Sequence, residues 1–187
     1  MVLIPLYEAC VNPWHDIHLG DKLPDFFPAV IEVPKGSKNK YELDKESGMI
    51  RVDRVLFSSI HYPANYGFIP RTYCEDNDPL DVLVLGQEAV VPLTIMLAKP
   101  IGLIKMVDNG EADDKIIAVH ANDPEFNHYT SIRQLPPHRE EELRNFFENY
   151  TVLENKEVVV ENFLDADEAK RVLLEAMRKY QAEFPRP

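Results

Sequence analysis

The sequence predicts an α+β fold, a small β-barrel flanked by two helices. Three observations lead there. Short runs rich in β-branched residues, punctuated by turn residues, fill the chain from Phe27 to His120. Beyond Pro136 and Pro137 the apolar pattern changes to a helical period. No internal repeat or low-complexity linker divides the chain, and 187 residues are enough for one domain with its own core. Residues 1–187 therefore read as a single domain, in which Pro-spaced residues 1–25 form an N-terminal extension packed on the rest.

Taken in order, residues 29–33 make a short β-rich run that Pro34 ends. A turn-type loop over 35–39 leads to residues 40–44, where Lys40 and Glu42 share one face and Tyr41 and Leu43 the other. Ser47 and Gly48 turn the chain into a partner strand over 49–55. Residues 61–68, with two tyrosines, a proline and a glycine, read as a loop. Strands follow at 81–85, 94–98 and 101–107, and 115–120 returns from a turn over 108–114. The first helix covers 140–150, with Leu143, Phe146, Phe147 and Tyr150 on one face. A strand over 157–160 precedes the second helix. Its stripe is Ala169, Val172, Leu173, Ala176, Met177 and Tyr180, and Asp165 or Asp167 caps its start. Strands first and helices last give α+β by layer logic.

The net charge is -12, and no Lys/Arg run interrupts the acidity. Such a chain repels nucleic acid and anionic membranes, and favours cations or anions already complexed with cations. Cys10 and Cys74 lie far apart and form no CxxC pair, which excludes a zinc knuckle or a disulfide framework. Two free thiols suit a reducing cytosol. The apolar start lacks a basic leader and carries Pro5 and Glu8, while the apolar stretch 89–98 is too short to span a membrane. The expectation is a soluble, cytoplasmic protein with no nucleic-acid or membrane partner.

Residues 75–84, E-D-N-D-P-L-D-V-L-V, carry most of the chemical information. In an extended chain Asp76 and Asp78 point the same way. Pro79 then bends the chain, and Asp81 opens an apolar strand. A carboxylate at the mouth of a buried strand is expensive unless compensated. Crowded carboxylates also raise one another's pKa. A hard divalent cation removes both costs. An EF-hand is excluded, because counting from Asp76 its sixth and twelfth places hold Asp81 and Gln87 rather than Gly and Glu. A glycosidase needs only two carboxylates at a set separation, a distance that sequence does not test. A Mg²⁺ site working on phosphates remains, since Mg²⁺ is held by a few carboxylates, water and phosphate oxygens. The acidic turn with Asp108 and Asp113 can supply further ligands from a hairpin; alone such a turn is ordinarily solvated, and it gains weight as a partner to the first cluster.

A phosphate also needs cations and hydroxyls. Lys40, Arg54 and Lys115 lie in or beside strands, and the segment with Tyr62 and Tyr66 offers phenolic donors without added charge. The histidines show no metal spacing, and there is no P-loop, dinucleotide cradle or nucleophile elbow. A non-enzymatic Ca²⁺ module would explain the acids but not these cations and tyrosines. An OB-type nucleic-acid binder would suit the barrel but not the charge.

At these residues the sequence resembles the soluble family I inorganic pyrophosphatases. The motif at 75–84 carries the likeness. It is supported by K-Y-E-L-D-K at 40–45, V-D-R at 52–54, Y-P-A-N-Y-G at 62–67, K-M-V-D-N-G-E-A-D-D-K at 105–115 and F-F-E-N-Y at 146–150. Residues 12–17 and 136–139 resemble plant-type and related bacterial members. The resemblance implies an OB-like five-stranded barrel, hydrolysis of pyrophosphate to two orthophosphates, and several Mg²⁺ ions per site, with Mn²⁺ substituting. It implies Asp76, Asp81, Asp108 and Asp113 as metal ligands and Asp78 as general base. It implies Lys40, Arg54, Tyr66, Lys115 and Tyr150 on the phosphate, with Glu32, Glu42 and Tyr62 around the metal waters. It also implies a homo-oligomer, hexamer or trimer. Two departures from the family pattern stand out: Asn109 where Glu is common, and Thr151 where Lys is common. Asn145 and Asn149 stand where some bacterial members place the histidines that help to hold the hexamer.

Overall fold

A computed structural model describes residues 11–185; Cys10 and the apolar start lie outside them. Among the described residues nine strands and two α-helices run in the order strands, helix, strand, helix. The strands are β1 (Phe27–Val33), β2 (Asn39–Leu43), β3 (Ile50–Val55), β4 (Asn65–Phe68), β5 (Asp81–Leu85), β6 (Thr94–Asp108), β7 (Glu111–Ala112), β8 (Lys115–His120) and β9 (Val158–Asp165). The helices are α1 (Pro137–Asn149) and α2 (Ala166–Glu183).

Five strands close into a ring. Hydrogen bonding runs β1, β4, β5, β8, β6 and returns from β6 to β1. All these pairings are antiparallel except β5 with β8, so the sheet is mixed and OB-like. Every residue of β1 is buried, as is all of β5 after Asp81, which explains the unbroken apolar run of β5; in β1 the buried Glu32 interrupts the apolar sequence. β2 and β3 form a separate hairpin, while β7 and β9 extend the sheet from β6.

Three differences from the sequence reading have physical causes. The strands expected at 94–98 and 101–107 are one strand, β6, whose ladder slips at a bulge between Pro100 and Gly102. Proline lacks a donor, and the bulge is where the sheet tolerates it. Residues 65–68, read as part of a loop, are a fully buried strand. There a Cβ on Gly67 would fall 1.9 Å from the Val30 carbonyl oxygen, so only glycine lets β4 lie this close to β1. The first helix begins at Pro137, since proline is accommodated in a first turn.

Helix α1 buries Leu143, Phe146 and Phe147 and packs on β9. Helix α2 buries Ala169, Leu173, Ala176 and Tyr180 and packs on β6; Asp165 is its N-cap and accepts from the Ala166 N–H. Described residues of the N-terminal segment lie on the domain through Trp14, which is 4% exposed and shares a cluster with Val30, Leu43, Phe68 and Tyr180. Among the described residues no helix is long and apolar enough to cross a membrane.

Candidate functional site

The aspartate motif is shaped locally before any ligand is considered. The chain tightens between Cys74 and Asp78, where the Cys74 N–H donates to the Asp78 carbonyl at 2.9 Å. Asp76 Oδ1 accepts the Asp78 N–H at 3.1 Å, an Asx-type turn that turns the aspartate sequence itself into geometry. Asn77 sits at φ 66°, a left-handed conformation that asparagine tolerates. Its side-chain oxygen accepts from the Tyr73 hydroxyl at 2.5 Å. Asp81 then opens β5, where it stands opposite Lys115 on β8 in the parallel register.

That register gathers charge. Lys115, 3% exposed, donates to Asp81 at 2.5 Å and also to Asp113. Tyr66, from the neighbouring β4, donates its hydroxyl to the same Asp81 oxygen at 2.5 Å. Burial alone would discharge Lys115, but Asp81 and Asp113 outweigh it and raise its pKa. Burial, reinforced by Asp81, lifts the Asp76 carboxyl above its usual range. Asp113 is lifted by burial too; Lys115 pulls it back and Asp81 pushes it further. The carboxylate set is therefore short of positive charge even with Lys115 in its midst.

Other elements complete the wall. The β2–β3 hairpin places Lys40 opposite Arg54. Lys40 donates to Glu42 at 2.7 Å. Glu32, on β1, accepts the Leu43 N–H at 2.6 Å. Its burial, against that bond and with Asp81 and Glu42 nearby, pushes its pKa to about 8. Burial raises the phenols of Tyr62, Tyr66 and Tyr150, so all three stand as neutral donors.

Most of the expected site residues line one cavity of about 510 Å³. It brings together Asp76, Asp78, Asp81, Asp108 and Asp113, with Lys40, Lys115, Tyr66 and Tyr150, and with Glu32, Glu42 and Tyr62. Arg54 alone among the expected residues is not part of its lining. It is drawn aside to Asp53 and to Glu154, whose Oε2 lies 2.8 Å from Nε. Sequence reasoning missed Trp14, Lys45 and Arg51, which also line the cavity. Lys45 lies in the 40–45 motif but beyond the strand alternation, and Trp14, the only tryptophan, sits in the extension. Among the described residues no group of three or more His, Cys, Asp or Glu is close enough together to hold an ion as it stands.

The family profile described as "Inorganic pyrophosphatase" matches residues 29–181. The chain is 58% identical over 173 residues to soluble inorganic pyrophosphatase 2 of Chlamydomonas reinhardtii, spanning 92% of this chain and 90% of that protein. It is also 58% identical over 177 residues to soluble inorganic pyrophosphatase PPA1 of Solanum tuberosum, spanning 95% of this chain and 83% of that protein. The crystal structure of inorganic pyrophosphatase from Thermus thermophilus superposes with a TM-score of 0.88 at 38% identity, covering 91% of this chain and 99% of that one. The Helicobacter pylori inorganic pyrophosphatase gives 0.84 at 40% identity, over 88% and 98%. A ring of five strands, two packed helices and a carboxylate-lined cavity thus meet a sequence match over most of the chain: this protein belongs to the inorganic pyrophosphatase family.

Proposed function

We propose that the chain hydrolyses inorganic pyrophosphate to two orthophosphates with Mg²⁺, Mn²⁺ substituting, and with Asp78 as general base. The observation that carries this reading is the shared cavity. Its floor is a cluster of carboxylates, two of them lifted above their usual pKa, and its walls offer lysines and neutral phenols.

The donor set fits a hard divalent cation. Asp76, Asp81, Asp108 and Asp113 are all-oxygen ligands, and a cation among them would relieve the burial and repulsion that raise Asp76 and Asp113. Mg²⁺ needs no all-protein cage, since it takes one or two carboxylates plus water and substrate oxygens. When bound, the ions supply polarised phosphate oxygens and water of lowered pKa.

The chain's own residues do the rest. Asp78, half-exposed at the rim of the cluster, accepts the proton of the attacking water. An ammonium has three donors, and Lys115 uses two on Asp81 and Asp113, so the third can meet a phosphate oxygen. Lys40, Tyr66 and Tyr150 face the same cavity and neutralise or bond the remaining oxygens. Arg54 joins them by turning from Asp53, while Glu154 holds its Nε side. Glu32, Glu42 and Tyr62, which line the same cavity, would order water around bound ions. The net charge of -12 suits a substrate that arrives as its magnesium salt.

A phosphate-release assay on pyrophosphate tests this directly. Turnover should require Mg²⁺, vanish with chelator, and fall sharply in Asp81→Asn. Equal turnover with Ca²⁺ would overturn the Mg²⁺ assignment, and no release at all would overturn the hydrolase reading.

A further inference from the structure

The geometry points to Lys45 as a positioning residue for Asp78, held in place by the N-terminal segment that carries Trp14. This rests on the reading of Asp78 as the base.

Asp78 lies in a turn, and its side chain is 49% exposed. Its backbone is fixed by Asp76, but that bond does nothing for the carboxylate's own rotation. Lys45 supplies what is missing. Its ammonium donates to Asp78 Oδ1 and lies 3.4 Å from the Asn77 carbonyl oxygen. A bond to Oδ1 leaves the second carboxylate oxygen to accept a proton.

An exposed lysine–aspartate pair is ordinarily weak, because two free side chains must be ordered to make it. This pair differs in how Lys45 is held. Its ammonium sits 5.5 Å from the centroid of the Trp14 ring, within cation–π range. Its own carbonyl accepts from the Asn12 side chain at 3.1 Å. Trp14 in turn is fixed: its indole N–H donates to the Thr72 carbonyl at 2.9 Å, and its own carbonyl accepts the Arg71 N–H at 2.9 Å. The ring stacks near Tyr73, whose hydroxyl donates to the Asn77 side-chain oxygen. One aromatic cluster thus braces both the turn that carries Asp78 and the cation that orients it. The N-terminal segment becomes part of the catalytic support rather than a passive covering.

The test uses full-length protein, Mg²⁺ and pyrophosphate, with Lys45→Met, Lys45→Gln, Lys45→Arg, Asp78→Asn and the Lys45→Met/Asp78→Asn double variant. Freeing the carboxylate should lower kcat about 10- to 100-fold with KM within about 3-fold, since small misplacements of a reacting group act on the chemical step. The two truncations should agree, and Lys45→Arg, which keeps donor and charge over the ring, should recover most of the loss. The double variant should be no slower than Asp78→Asn, as expected when one residue acts through the other. A raised KM with kcat intact would make Lys45 a substrate ligand, and unchanged kinetics would make the pair a surface contact; either overturns the inference. Asp78→Asn separates the two levels. If it retains turnover, the base reading itself falls. If it collapses while Lys45→Met is unaffected, only the positioning role falls.

Discussion

Glu32 is 8% exposed and bonded to the Leu43 N–H, yet its pKa is pushed to about 8 by burial, against a usual value of 4.5. A carboxylic acid raised in the folded state contributes its stability in full below the unfolded pKa. That contribution is lost as pH rises through the folded pKa. For Glu32 the window runs from about 4.5 to about 8. At 1.36 kcal/mol per pH unit the metal-free protein would be weakened by about 3 kcal/mol at pH 7. Glu32→Gln keeps an acceptor for Leu43 without the charge. In chelator it should melt above the wild type at pH 7 to 8 and lose that advantage near pH 4.5. Equal melting temperatures across the range would mean that Glu32 is solvated rather than enclosed.

At the scale of the element, strand β4 decides where Tyr66 stands. Its register against β5 brings the Tyr66 hydroxyl to Asp81, and its approach to β1 depends on Gly67. Gly67→Ala would set a Cβ against the backbone of Val30 and Ile31, which cannot move like a side-chain tip. Overpacking of this kind costs about 1–3 kcal/mol. The variant should show a lower urea midpoint together with weakened phosphate release, because the displaced strand carries a site residue. Wild-type stability would contradict the close approach. The same strand shows what the sequence could not reveal. Its four residues mix tyrosine, asparagine and glycine, so neither alternation nor an apolar run marks it, and only the ring closure makes them a strand. β5 and β8 were legible because burial on both faces wrote long apolar runs. The grouping of Asp76, Asp78 and Asp81 in one cavity is legible because their spacing fixes their mutual positions within one short segment, whereas Asp108 and Asp113 reach it from a separate turn. Lys45, Trp14 and the retreat of Arg54 to Glu154 were not, since each depends on segments distant in sequence.

For the whole molecule, the acidity and the cavity make one account. Cations are scarce in this chain, 20 Lys and Arg against 32 Asp and Glu, yet Lys40, Lys45, Arg51 and Lys115 border a single cavity. Each of the four is paired with a carboxylate of the same cavity, so the pocket is itself net acidic and favours an anion whose charge is masked by cations. Leu93, Ile95 and Leu97 alternate outward on and beside β6 and are 40% to 55% exposed, an apolar stripe that the homo-oligomer expected from the family resemblance would cover. Sedimentation equilibrium should return about three or six times the 21.5 kDa chain mass, and a monomer at micromolar concentration would contradict that expectation. The most direct test of the catalytic account is Asp78→Asn, followed by Mg²⁺ titration calorimetry and phosphate release on one preparation. Mg²⁺ affinity should stay within a few-fold of wild type while turnover falls about 10²- to 10⁴-fold, the range of a lost general base. Turnover that survives, or Mg²⁺ binding that disappears with it, would contradict the division of labour between Asp78 and its neighbours.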